Sequence, residues 1–151
     1  INAGCYLIER DILSGLSEDR HSMEREVFPE LAESGDMAGL AFTGYFVDAG
    51  TPESFIEAAQ VCIANDRHDT GQVHGDCWLG DGSVCSGDAT GSAIGAGSVI
   101  EQGAALVDCV VLDGARVGAR AKLTRCLVGE GATISGDSKL SDQVIGHGAS
   151  I

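Results

Sequence analysis

The sequence holds only two lysines, Lys122 and Lys139, and two prolines. It has no apolar run approaching the roughly 18 residues of a membrane span, so no membrane partner is expected. With seven arginines, the lysines face 13 Asp and 10 Glu, for a formal charge of −14. These scattered cations make no basic face, and a phosphate backbone would be repelled over most of the surface, which argues against nucleic acid as a partner. So little proline beside 44% hydrophobic residues argues against a disordered chain. The sequence opens on Ile1 rather than Met and has no basic segment followed by an apolar stretch. No signal peptide is read, and residues are expected upstream. An acidic surface this poor in lysine fits a high-salt cytoplasm, where screening removes self-repulsion, although an ordinary acidic protein needs no such habitat. The six cysteines make no CxxC pair and no compact framework. They read as buried free thiols in a reducing cytoplasm, with Cys77, Cys85 and Cys126 at interior positions of the repeat described next.

From Leu79 onward helical periodicity disappears and a hexad takes over. Aliphatic residues recur at Ile94, Ile100, Leu106, Leu112, Val117, Leu123, Val128, Ile134, Leu140, Ile145 and Ile151, in steps of six with three steps of five. Two positions before each stand Ser92, Ser98, Ala104, Val110, Ala115, Ala121, Cys126, Ala132, Ser138, Gln143 and Ala149, nine of which are Ser, Ala or Cys. Leu79 and Cys85, preceded by Cys77 and Ser83, extend the pattern backwards before the phase breaks around Asp88 to Ser92. Two registers kept together specify a narrow parallel solenoid, whose interior takes one branched side chain per face if its same-face neighbour is small. The phase and composition resemble the left-handed β-helix of hexapeptide-repeat proteins, and the handedness comes from that resemblance. Ile151 falls on an interior position, so the chain is expected to stop in mid-coil.

The first part reads as α/β. Ala3 to Ile8 suggests a buried strand, and Met37 to Val47 suggests two strands broken near Thr43-Gly44. A helix should follow with Thr51 as N-cap, Pro52 in its first turn and Phe55, Ile56, Ala59, Cys62 and Ile63 as one apolar stripe. The polar stretch from Asn65 to Gly75 has neither periodicity. The expected division is therefore residues 1–66 as the C-terminal part of an α/β domain, 67–75 as linker and 76–151 as β-helix.

Within G44-Y-F-V-D-A-G-T-P52, Asp48 stands at the end of an apolar strand pattern, before a glycine turn and a capped helix. Ligands of α/β sheets bind at strand ends, and a carboxylate there can share Mg²⁺ with substrate phosphates or simply cap its own turn. Three segments, I1-N-A-G-C-Y6, S22-M-E-R-E-V-F-P29 and G44-Y-F-V-D-A-G-T-P52, resemble the successive motifs of the sugar-phosphate nucleotidyltransferases. Among these the chain is most similar to mannose-1-phosphate guanylyltransferase-like enzymes, which carry a hexapeptide tail. The resemblance implies the C-terminal part of a Rossmann-like catalytic domain followed by the β-helix. It implies Asp48 as the second metal-binding acid for Mg²⁺, Asn2 at the sugar, and Glu24 on the sugar side of the cleft. Phe46 stands where a Trp is usual and Ala49 where a larger aliphatic is. The family's nucleotide loop, first metal aspartate and sugar-phosphate lysine precede Asn2 in relatives, so these residues alone are expected to be inactive. In the whole enzyme a sugar-1-phosphate would attack the α-phosphate of a nucleoside triphosphate and release pyrophosphate. GTP, dTTP and UTP all remain open, and a cytoplasmic homo-oligomer is expected.

Two other functions fit parts of the sequence. The same solenoid can support acyl transfer from coenzyme A with a histidine as base, and His147 lies in the repeat, but in a Gly-His-Gly corner without a protruding loop. His21, His68 and His74 show no metal-ligand spacing. A non-catalytic regulatory subunit of the nucleotidyltransferase family is the third possibility.

Overall fold

The computed structural model describes residues 4–151 and divides them into two compact units, Ile1–Phe46 and Val47–Ile151. In the first, helix α1 (Arg10–Ser14) is followed by a π-helical turn (Met23–Val27) that runs into α2 (Phe28–Ser34). Ser22 caps the turn by accepting the Arg25 N–H at 3.3 Å. Pro29 sits in the first turn of α2, and Gly35, at φ 81°, ends it in the left-handed conformation while Asp36 N–H returns to the Leu31 carbonyl. The strands expected at Ala3 to Ile8 and Met37 to Val47 are absent among the described residues. Residues 4–9 and 36–51 form neither helix nor strand. The apolar patterns are there, but a strand needs a neighbour for its N–H and C=O groups, and no strand pairs with either segment. Leu7 and Leu40 are accordingly fully exposed.

In the second unit helix α3 (Pro52–Ala64) begins at a capping box. Thr51 Oγ1 accepts the Ser54 N–H at 3.2 Å, and Ser54 Oγ accepts the Thr51 N–H at 3.0 Å. The buried face is Ile56 and Ile63 with half-buried Ala59 and Gln60. Phe55 and Cys62, expected on that stripe, are exposed instead. A hairpin follows, β1 (Gln72–His74) pairing antiparallel with β2 (Cys77–Leu79).

Twelve further short strands wind a parallel solenoid: β3 (Val84–Cys85), β4 (Asp88–Thr90), β5 (Ala93–Ile94), β6 (Val99–Ile100), β7 (Ala105–Val107), β8 (Val110–Val111), β9 (Arg116–Val117), β10 (Lys122–Thr124), β11 (Leu127–Val128), β12 (Thr133–Ile134), β13 (Lys139–Ser141) and β14 (Val144–Ile145). They stack as three sheets, β2-β5-β8-β11-β14, β3-β6-β9-β12 and β4-β7-β10-β13, with β1 at the edge of the first. This is a hexapeptide-repeat solenoid of about four turns, consistent with the left-handed β-helix. Partners lie seventeen residues apart, as in Ala93 with Val110 and Lys122 with Lys139, so each coil is built of steps of six, six and five. The first coil is two residues shorter, because Trp78 pairs with Ala93 and Val84 with Val99, whereas Asp88 keeps the seventeen-residue step to Ala105. The missing residues belong to the corner at Ser86-Gly87, which accounts for the broken phase near Asp88. Gly87 is required there, since a Cβ would lie 3.0 Å from the Glu101 carbonyl and closer still to that of Ala104.

The interior corrects one expected register. In β8 the core residue is Val111, 1% exposed, with Cys109 as its small partner, whereas Leu112 is half-buried. A strict six-six-five step places Val111 between Ile94 and Val128, as the pairing shows. The short step always falls at the same corner, where Gly91, Asp108, Arg125 and Asp142 stack with φ of 49–57°. Ile94, Ile100, Leu106, Val117, Leu123, Val128 and Ile134 are all no more than 1% exposed, and burying each contributes about 1.5–3 kcal/mol.

The small partners after the short corner form their own ladder. Ser92 Oγ, Cys109 Sγ and Cys126 Sγ each donate to the carbonyl two residues back, and Ser92 and Cys109 accept the N–H of the next coil. All six cysteines are free; Cys109 and Cys126 are buried, while Cys5 and Cys62 are exposed, contrary to the expectation of six buried thiols. Burial pushes the Cys109 thiol up to about 11.

Candidate functional site

Asp48 lies in an exposed loop three residues before the Thr51 cap. The local sequence dictates that position: Gly50 and the capping box stop the extended run and turn it into α3, leaving the carboxylate ahead of the first helical turn. Its Oδ1 lies 3.4 Å from where a Gly50 Cβ would be, an ordinary contact distance. No group of three or more His, Cys, Asp or Glu able to hold a metal occurs among the described residues. An accessible single carboxylate suits a Mg²⁺ that arrives on substrate phosphates, which leave the protein only one or two ligands to supply.

Glu24 sits in the π-helical turn of the first unit. Its Oε1 accepts the Tyr6 hydroxyl at 2.6 Å, and the Tyr6 ring stacks on Phe28 with centroids 4.7 Å apart and planes at 58°. The first and second sequence motifs therefore pack together through Glu24, which sequence reasoning singled out, and through Tyr6 and Phe28, which it did not. Asn2, expected at the sugar, lies outside the described residues. Glu24 and Asp48 belong to different units, and each is described within its own.

The histidines do structural work. The Glu130 N–H donates to His147 Nδ1 at 3.0 Å, just as the Ala96 N–H donates to Asp113 Oδ1 at 2.8 Å two coils earlier in the same corner column. His147 is thus a corner acceptor. His21 lies 2.9 Å from Ser17 Oγ and 3.4 Å from Glu26 Oε2, an order reminiscent of a nucleophile, base and acid. Ser17 also meets Asp19 at 3.2 Å, and the same Glu26 oxygen accepts the Ser22 N–H, so the group caps the π-helical turn.

Helix α3 docks on the solenoid through Gln60, whose Nε2 donates to the Gly91 carbonyl at 3.0 Å and to Asp108 Oδ1 at 2.8 Å. Farther along, a cleft of ≈ 240 Å³ is lined by Glu53, Ile56, Glu57, Asp108, Arg125 and Asp142, among others. Arg125 is held by Asp142 through two bonds of 2.6 and 2.7 Å, so the remaining carboxylates make this cleft the wrong sign for a triphosphate. Arg120 and Asp137 repeat the bidentate pair at another corner. In both pairs the guanidinium hydrogen bonds hold the aspartate below the usual carboxylate range. These pairs were legible in the sequence as Arg and Asp seventeen residues apart.

Comparison with known proteins agrees with this architecture. The chain is 35% identical over 130 residues to a mannose-1-phosphate guanylyltransferase of Mycobacterium tuberculosis, covering 79% of this chain and 35% of that protein. It is 30% identical over 134 residues to a probable mannose-1-phosphate guanylyltransferase 1 of Oryza sativa subsp. japonica, covering 80% of this chain and 36% of that one. The chain thus spans about a third of the length of the curated relatives it matches. No helix among the described residues is long and apolar enough to cross a membrane. Residues 58–148, from α3 through the last coil, match the sequence model of the hexapeptide family described as GlmU-like, C-terminal, and the chain belongs to that family.

Proposed function

We propose that this chain acts as the C-terminal part of a sugar-phosphate nucleotidyltransferase that makes an NDP-sugar and pyrophosphate from a nucleoside triphosphate and a sugar-1-phosphate. The similarity to mannose-1-phosphate guanylyltransferases over about four-fifths of the chain carries this reading, because it extends well before the repeat and takes in sequence outside the solenoid. GTP and mannose-1-phosphate are the favoured pair, with dTTP or UTP and glucose-1-phosphate as the alternatives. Asp48 would hold one edge of Mg²⁺, Glu24 and Asn2 would bind the sugar, and a homo-oligomer is the expected assembly. Bound Mg²⁺ would supply charge neutralisation at the transferring phosphate. The residues described here would orient the sugar phosphate for in-line attack, with no covalent enzyme intermediate.

The rival acyl transfer is less favoured, because its candidate base His147 accepts the Glu130 N–H at Nδ1 in the solenoid corner. The discriminating assay offers the complete polypeptide both substrate sets. Pyrophosphate release from GTP and mannose-1-phosphate, without thiol release from acetyl coenzyme A, is expected. Thiol release alone would support acyl transfer, and neither product, with dTTP or UTP and glucose-1-phosphate offered as well, would favour a regulatory subunit.

A further inference from the structure

The structure gives Glu24 a neighbour whose role nothing above assigns. Glu24 lies in a short π-helical turn of an exposed segment, where a glutamate with three rotatable side-chain bonds would sample many orientations. Tyr6 holds it at 2.6 Å, within the range of a charge-assisted O–H···O⁻ bond. The phenol is itself fixed, because its ring packs 4.7 Å from Phe28, four residues beyond Glu24 on the continuing helix. Glu24, Tyr6 and Phe28 thus form a closed triangle in which the backbone sets the Glu24 to Phe28 spacing and the tyrosine bridges it.

We propose that Tyr6 is a positioning residue that orients the Glu24 carboxylate to accept hydroxyls of the sugar phosphate. The inference rests on the nucleotidyltransferase reading and on Glu24 facing the sugar in it. A carboxylate offers about four acceptor sites, and the phenol takes one of them. Fixing the side chain beforehand removes the cost of ordering it when substrate binds. The tyrosine touches no reacting atom in this scheme; it acts through Glu24 on affinity for one substrate.

The test measures pyrophosphate release by the complete polypeptide, varying mannose-1-phosphate at saturating GTP and then the reverse. Tyr6→Phe keeps the ring on Phe28 and removes only the hydroxyl. It is expected to raise KM for the sugar phosphate by roughly three- to tenfold and leave KM for GTP unchanged. In a Glu24→Gln background, which raises the same KM, adding Tyr6→Phe should have little further effect. An unchanged sugar-phosphate KM in Tyr6→Phe overturns the proposal, as does an equal penalty in both backgrounds or a rise in both KM values together. An unchanged KM in Glu24→Gln removes Glu24 from the sugar and overturns it too. A wild-type polypeptide that releases no pyrophosphate from GTP, dTTP or UTP with either mannose-1-phosphate or glucose-1-phosphate overturns the nucleotidyltransferase reading itself, and this inference with it.

Discussion

At the scale of residues, small and large side chains share the solenoid interior under one rule, and the exception tests it. Val111 rather than Leu112 points inward, with Cys109 as its partner. Val111→Ala should therefore cost about 2 kcal/mol in urea unfolding and Leu112→Ala clearly less, the reverse of what an unbroken six-residue step from Leu106 would require. The thiol ladder makes a second expectation. Because burial raises Cys109 from 9.0 to about 11 when folded, its neutral form contributes stability that is fully present below pH 9.0 and is lost as pH rises through about 11. Cys109→Ala should flatten that alkaline limb of a stability profile. The corner aspartates work in the opposite direction. Asp137 and Asp142 are held low by their arginines, so their contribution is present above the unfolded carboxylate range and fades as pH falls through their lowered values. Both pairs are fully exposed, and that acid limb should be shallow.

Among elements, α3 is held on the solenoid by apolar and polar side chains together. Its Ile56 and Ile63 are buried, and Gln60 ties it to the short corner through Gly91 and Asp108. Ile56→Ala should destabilise by about 2–3 kcal/mol and Phe55→Ser by much less, measured as shifts in the unfolding midpoint, because Phe55 is 39% exposed. Most of the solenoid was readable because two registers recur independently. The corner with the short step misled, at a point where Val110, Val111 and Leu112 are all aliphatic and the sequence offers no local choice among them, and Gln143 and Ile151, read as interior, are exposed. The apolar stripe of α3 was legible in Ile56 and Ile63, but a polar docking residue such as Gln60 leaves no periodic trace. The strands expected at Ala3 to Ile8 and Met37 to Val47 had a strand's pattern but no partner strand among the described residues, which no local pattern can reveal. For the candidate site, Asp48 and Glu24 were named from motif resemblance alone, whereas Tyr6 carries no signal in the sequence and enters through its hydroxyl on Glu24.

For the whole molecule, a formal charge of −14 acts over every face. Self-repulsion weakens as the Debye length shrinks from about 10 Å at 0.1 M salt to about 3 Å at 1 M, whereas the exposed Arg–Asp pairs lose little because they contribute little. Thermal stability should therefore rise with potassium chloride over that range; a fall would mean that the corner ion pairs outweigh the repulsion. In the solenoid, His147, the buried Cys109 and Cys126 thiols and the Arg120 and Arg125 ion pairs hold corners and core. Chemistry is assigned instead to the segments ahead of it, and Asp48 is the residue on which that assignment depends most. The most direct test is pyrophosphate release from GTP and mannose-1-phosphate by the complete polypeptide, titrated with Mg²⁺, for wild type and Asp48→Asn. The account predicts a Mg²⁺-dependent wild type and a loss of roughly a hundredfold or more in the variant, with the remaining activity needing higher Mg²⁺. Equal rates and equal Mg²⁺ dependence in the two proteins would contradict it.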